Sequence, residues 1–227
     1  MEFEILPEAV WARLEHFTKN KMQVLLAGGF LVESGLRSKD FAAVDRGWQI
    51  VNKNQTAITR CIQHLLSLGQ PPSKLEPCDT GQLVSDTVLE LKESAHRDGM
   101  DVAGLSMTIK QSCVCWLNPQ SMRSALFGLM RICLEAGRDN SGSETRVQVV
   151  DHVISVVCSH PQFDLDSITL SSQATDEFEM QSREGLWIDW MVAQIAVKRV
   201  GGSLEAVSGL SEFEFRIALP TAIPESR

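Results

Sequence analysis

No run in this 227-residue chain approaches the ~18 consecutive apolar residues that mark a membrane-spanning helix, and no basic-then-apolar segment opens it. A cytoplasmic location with no membrane contact is the expectation. Positive charge is also scarce. The 21 Lys and Arg against 29 Asp and Glu leave a net charge of -8, which argues against a nucleic-acid partner and a polybasic membrane surface. Six cysteines are present, at positions 61, 78, 113, 115, 133 and 158, but no Cys-x-x-Cys. Cys113 and Cys115 are two apart, which puts both on one face of a strand and is a poor spacing for zinc. They read as buried, reduced thiols, and no metal site is expected. With 44% hydrophobic and 22% charged residues, the chain has an ordinary composition and enough length for one or two cores.

What is present first is a repeating apolar pattern. Phe41, Val44, Trp48, Val51, Gln55, Ile58, Ile62 and Leu65 recur at alternating steps of three and four. Upstream, Val10, Leu14, Phe17, Lys21, Val24, Gly28, Leu31 and Gly35 do the same. A steady spacing of 3.5 is the seam of a supercoiled bundle. Written antiparallel, the two runs pair Gly28 with Trp48 and Lys21 with Gln55. Two helices over 7–35 and 39–68, folded back near 36–40, satisfy this pattern. Gly28 and Gly29 each cost a helix about 1 kcal/mol relative to Ala, and room for Trp48 is the expected compensation. A lone hairpin cannot bury both sides of such a seam, so it should dimerise into a four-helix bundle.

Gly69-Gln70-Pro71-Pro72-Ser73 ends the hairpin and reads as a linker. The expected domains are 1–70 and 75–227. In the second, Asp79 and Gln82 resemble a capping box ahead of an apolar-faced helix. Strands are expected around Leu105–Ile109 and Cys113–Leu117. Asn118-Pro119 then opens a helix, with Asn as cap and Pro at the first position. Strands follow over Thr145–Val150 and Val153–Cys158, turning at Asp151-His152. Ser159 to Arg183 is polar and irregular, with one short helix in it. A helix over Gly185–Val200 stops at Gly201-Gly202, and Leu204–Val207 with Glu212–Leu219 closes the domain as a hairpin. Helices on one face of a mostly antiparallel sheet make an α+β sandwich.

This order of elements resembles the catalytic core of bacterial sensor histidine kinases, across nearly the whole chain. There, a dimerisation and phosphoacceptor hairpin precedes an ATP-binding sandwich. Glu15-His16-Phe17-Thr18-Lys19-Asn20-Lys21-Met22-Gln23 resembles the phosphoacceptor box, with His16 and Asn20 at its His and Asn positions. Phe17 replaces the acidic residue that commonly follows the His, and Lys21 replaces the Pro that commonly follows the Asn. Trp116 to Leu126 resembles the strand and helix leading to the nucleotide site. The Asn positions that hold Mg²⁺ and phosphate in that family fall on Gly128 and Ile132. Where the family carries Asp-x-Gly-x-Gly, this chain reads Cys158-Ser159-His160-Pro161-Gln162. Gly185-Leu186-Trp187-Ile188-Asp189-Trp190 resembles the second glycine box, but an indole and a carboxylate stand where bare backbone N–H groups would cradle phosphate. The combination resembles histidine phosphotransferases built on a degenerate kinase frame, which do not bind ATP.

That resemblance implies His16 as phosphoacceptor, with Lys19 and Asn20 in support. If Leu14 and Phe17 face the seam, His16 faces outward, and Asn20 and Gln23 continue its stripe. An attacking imidazole must be neutral, as free imidazole with a pKa of about 6.5 mostly is at pH 7. Lys19 would offset charge on the phosphoryl group, and Asn20 would bond a phosphoryl oxygen or position a water. No cofactor is expected on the chain itself, because Mg²⁺ would come with the partner. The partner implied is a response-regulator receiver domain or a sensor kinase, met by a homodimer around His16 on a surface that includes Phe17 and Ile58. Two alternatives stay open. One is a non-catalytic adaptor that binds and modulates a regulator or kinase, with or without phosphatase activity. The other is an active kinase with an unusual nucleotide site.

Overall fold

The first helix ends where Lys39 takes a left-handed conformation, φ 58°, and reverses the chain. The computed structural model describes residues 8–69, 75–98, 101–138, 140, 142–161 and 186–220. The short helix expected between Ser159 and Arg183 falls largely outside them. Helix α1 spans Glu8–Ser38 and α2 spans Phe41–Gly69, so α1 runs further toward the turn than the apolar pattern implied. The Asp40 carboxylate accepts from the Ala43 N–H at 3.0 Å and caps α2. Its own N–H donates to the Gly35 carbonyl at 2.8 Å and closes the end of α1.

The buried line of the hairpin consists of Leu14, Phe17, Gly28 and Gly35 on α1 and Ala43, Gly47, Asn54 and Cys61 on α2. Small residues dominate it because the backbones touch. A Cβ on Gly47 would stand 2.7 Å from the Gly28 carbonyl oxygen, and one on Gly28 would stand 2.8 Å from Ile50 Cγ2. The expected pairing of Gly28 with Trp48 is therefore corrected. Gly28 meets Gly47, and Trp48 turns away with 57% of its surface exposed. A tryptophan cannot enter a gap that leaves no room for a methyl group. Phe41 and Ile62 of the expected seam are likewise exposed. The pairing of Lys21 with Gln55 is corrected too. Gln55 is exposed, and the buried polar residue is its neighbour Asn54, whose amide donates to the Ile50 carbonyl at 2.8 Å. The Lys21 ammonium lies 5.5 Å from the centre of the Phe17 ring.

The chain divides into two compact units between Leu66 and Ser67. The second unit runs β1 (Glu76–Asp79), α3 (Thr80–Asp98), β2 (Leu105–Ser112), β3 (Val114–Leu117), α4 (Pro119–Gly137), β4 (Thr145–Asp151), β5 (Val153–Ser159), α5 (Leu186–Arg199), β6 (Ser203–Ser208) and β7 (Glu212–Ala218). Strands β2-β4-β5-β7-β6 form one sheet, and β1 pairs with β3 in a separate ribbon. Strand β1, unforeseen in the sequence, is four residues long and without apolar alternation. The large sheet is antiparallel except where β2 runs parallel to β4. The Asp79 carboxylate caps α3 by accepting from the Gln82 N–H at 2.8 Å. The reciprocal half of the expected capping box is replaced, because the Gln82 side chain donates to Asp86 at 2.6 Å.

Asn118 caps α4 through the Ser121 N–H at 2.8 Å, with Pro119 in the first turn. Met122, Leu126, Leu129, Met130 and Cys133 of α4 are fully buried in a core shared with Phe213, Phe215 and Ile217 of β7 and with Trp190 of α5. The Trp190 and Phe215 rings are 5.3 Å apart. The other face of the sheet is polar, with Arg146 on Glu212 at 3.2 Å and Arg216 on Glu214 at 2.8 Å. Alternation inward and outward along β7 produces this division.

Substituting Gly47→Val should destabilise the hairpin by about 1–3 kcal/mol, the usual range for overpacking a tight site. Urea unfolding followed by the helical circular dichroism signal reads this directly. An unchanged midpoint would mean that the helices do not cross at Gly28 and Gly47.

Candidate functional site

His16 lies on the exposed side of α1, one residue from buried Phe17 and two from buried Leu14. Successive helical residues turn by about 100°, so the burial of those two directs the imidazole out of the seam. The Asn20 side-chain amide, one turn on, lies 2.9 Å from His16 Nε2. An amide NH₂ is a donor, so Nε2 accepts and carries the lone pair, which leaves the ring proton on Nδ1. Gln23, the next residue of the stripe, is exposed.

Lys19 is engaged with the residue before His16. Its ammonium lies 2.5 Å from a Glu15 carboxylate oxygen, one turn back, with both side chains largely exposed. Glu preceding Lys by four residues is the favourable helical order. The hydrogen bond and charge of Lys19 hold the Glu15 carboxyl below its ordinary value. The sequence signal for this pair is Glu and Lys four apart around the His. The structure therefore brings His16 and Asn20 together and directs Lys19 to Glu15. Phe17, expected to help line a partner surface, is only 3% exposed, and Ile58 is half-buried.

In the second unit, the residues at the nucleotide-motif positions pack on one another. A Cβ at Gly128 on α4 would stand 2.8 Å from the Cβ of Asp189 on α5. The Asp189 side chain is 1% exposed, and both Arg131 Nε, at 2.8 Å, and Arg131 Nη2 donate to its carboxylate. Ile132 is fully buried, and so, nearly, are Trp187 and Trp190. At the end of β5, the Cys158 thiol donates to the Cys133 carbonyl at 3.4 Å, and burial pushes this thiol's pKa up. An Mg²⁺-nucleotide needs oxygen ligands on α4 and bare backbone near α5. Among the described residues, the side chains at those positions do not fit that need: Gly128 and the buried Ile132 offer no oxygen ligand, and the Asp189 carboxylate is committed to Arg131. The sequence signal for this ion pair is Arg131 and Asp189, each with apolar residues on both sides.

Among the described residues, no cluster of His, Cys, Asp or Glu could hold a metal ion. Cys113 and Cys115 do share a face, with sulfurs 3.4 Å apart, although Cys113 lies just before β3 rather than within it. Burial, then the Cys113 hydrogen bond, raises the Cys115 pKa to about 12. No helix among the described residues is long and apolar enough to cross a membrane.

Two outcomes follow from this geometry. Asp189→Ala strands the Arg131 charge in the core and should destabilise the second unit by about 3–5 kcal/mol, read as a lowered urea midpoint. Lys19→Ala should raise the Glu15 titration midpoint toward that of an ordinary carboxylate, read by ¹³C NMR. With Lys19 in place the Glu15 pKa is depressed, so the pair's contribution is present at neutral pH and fades as pH falls through the folded value. An unmoved midpoint would mean that Lys19 does not hold Glu15.

No protein-family model and no curated protein matches this chain. Solved structures do match. The histidine kinase ThkA, solved in complex with the response regulator protein TrrA, is 17% identical, with a TM-score of 0.63 over 98% of this chain and 64% of that one. The Acinetobacter baumannii histidine kinase AdeS is 11% identical, with a TM-score of 0.53 over 88% of this chain and 95% of that one. Full-length ShkA in complex with AMPPNP is 14% identical, with a TM-score of 0.52 over 96% of this chain and 47% of that one. At these identities the likeness is one of fold: a helical hairpin followed along the chain by a mixed α+β domain, resembling the hairpin and ATPase-like domains of histidine kinases.

Proposed function

We propose that this chain is a histidine phosphotransfer protein of two-component signalling. It relays phosphoryl groups between the receiver aspartates of response regulators through His16, and it does not bind ATP. The observation that carries this reading is an exposed imidazole whose Nε2 lone pair is held 2.9 Å from Asn20, on a hairpin of histidine-kinase fold. The packing of Gly128, Arg131 and Asp189 at the nucleotide-motif positions supports the second half of the reading. So does the response regulator bound to the ThkA structure, as support for the class of partner.

The chemistry is a transfer from an acyl phosphate to an imidazole. Nε2 of neutral His16 attacks phosphorus as the Asn20 amide swings aside. A P–N bond forms, the P–O bond to the receiver carboxylate breaks, and that carboxylate leaves with the electron pair. The ring then gives up its Nδ1 proton to water. The reverse sequence loads a second receiver. Mg²⁺ carried by the receiver would neutralise charge on the phosphoryl oxygens. The freed Asn20 amide can donate to one of those oxygens, and Lys19 can do the same once released from Glu15. The protein works as a homodimer, its two hairpins forming a four-helix bundle in the cytoplasm.

Incubation with a receiver carrying radiolabelled phosphate tests the relay. Label should appear on the wild type and be absent from His16→Ala, and calorimetry with Mg²⁺-ATP should show no binding. Label retained by His16→Ala would rule out His16 as the acceptor. No label on the wild type from any of a panel of receivers, with a receiver's activity still altered on binding, would assign the chain as an adaptor.

A further inference from the structure

Gly28 and Gly47 stand at one level of the hairpin, each against the other's carbonyl oxygen. Gly29 and Trp48 are the next residues along. Because the helices are antiparallel, a step of about 100° on each brings both residues to the same side of the hairpin. Gly28 needs its glycine, because a side chain there would strike α2. Gly29 has no such reason within one chain, since nothing lies within 4 Å of the place its Cβ would occupy. It nevertheless sits in the middle of a 31-residue helix, where glycine is unfavourable. Trp48 presents the complementary problem, a large indole left more than half exposed at the same height.

The side that carries them is apolar along α2 and apolar over the upper part of α1, from Met22 to Leu36. On α2 it bears Phe41, Val44, Val51, Ile58 and Ile62, broken only by Gln55. On α1 the same rotation from the seam selects Met22 and Leu36 beside Gly29, all exposed, and then Thr18 and Glu15 toward the start of the helix. The α2 part of this side is the stripe whose 3.5-residue spacing marks a bundle seam in the sequence. It has the periodicity of a bundle interior and no charged residue at those α2 positions.

We propose that a second copy of this chain covers this side, with Trp48 of each copy seated in the notch over Gly29 of the other. A two-fold axis parallel to the helices keeps residues at their own height and lays α1 of one copy along α2 of its partner. Gly29 then faces the level from which the partner's indole projects. Glycine at that position is room for the other chain, as glycine at position 28 is room for its own. This pairing rests on the homodimer in the reading above, and its test separates the two.

Sedimentation equilibrium on the full chain measures self-association. Trp48→Ala and Gly29→Leu should each weaken dimerisation at least about tenfold. The double variant should bind more tightly than the product of the two losses, because leucine then fills the space that the indole vacated. A Cβ at position 29 meets nothing within 4 Å in one chain, so the circular dichroism of Gly29→Leu should remain helical. A wild-type dimer unaffected by either variant, or losses that simply multiply, would overturn the notch and leave the homodimer standing. A monomeric wild type at tens of micromolar would overturn the homodimer itself.

Discussion

The backbone contact between Gly28 and Gly47 governs the hairpin. Helices that touch at their carbonyls leave no space between them for large side chains, so those are forced to the flank. The inner line is accordingly built of glycine, alanine, cysteine and one asparagine, with Leu14 and Phe17 closing it where the contact is less tight. The wide apolar flank, and the outward direction of the His16 ring, are both consequences of that approach.

The periodicity of α2 was legible in the sequence, but its phase was not. The stripe of Val44, Trp48, Val51, Gln55, Ile58 and Ile62 has the same spacing as Ala43, Gly47, Ile50, Asn54, Ala57 and Cys61, one residue earlier. Counting hydrophobicity favours the first stripe, while burial within one chain follows the second. Side-chain volume breaks the tie, because paired glycines on two helices point to contact between backbones. In the second unit the caps at Asp79 and Asn118 and the alternation in β7 were readable, since each is a local rule. Strand β1 was not, because four residues without alternation become a strand only when β3 supplies the partner. The parallel pairing of β2 with β4 was also invisible, being a matter of topology.

The site divides in the same way. His16 and Asn20 lie one turn apart and needed only helix geometry to be placed together. Arg131 and Asp189 are distant in sequence and meet only because α4 and α5 pack face to face. Their ion pair turns a stretch that resembles a phosphate loop into part of the core. Burying such a pair seldom adds stability over apolar residues of equal volume, but breaking it is costly. The packing of α4 on α5 is thereby held by a contact that tolerates little change.

His16 and Phe17 are adjacent, and their environments are opposite: one ring stands in water and the other is sealed in the seam. Turning α1 in its seat by a single residue would exchange them, hiding the imidazole and stranding a phenyl group. The glycine crossing forbids that turn, since it would carry Ala27 into the place of Gly28, where a Cβ would stand 2.8 Å from Ile50 Cγ2 and 3.0 Å from the Gly47 carbonyl oxygen. The packing of two hydrogen-only side chains thus acts as a detent twelve residues from the histidine, fixing the angle at which its ring meets solvent.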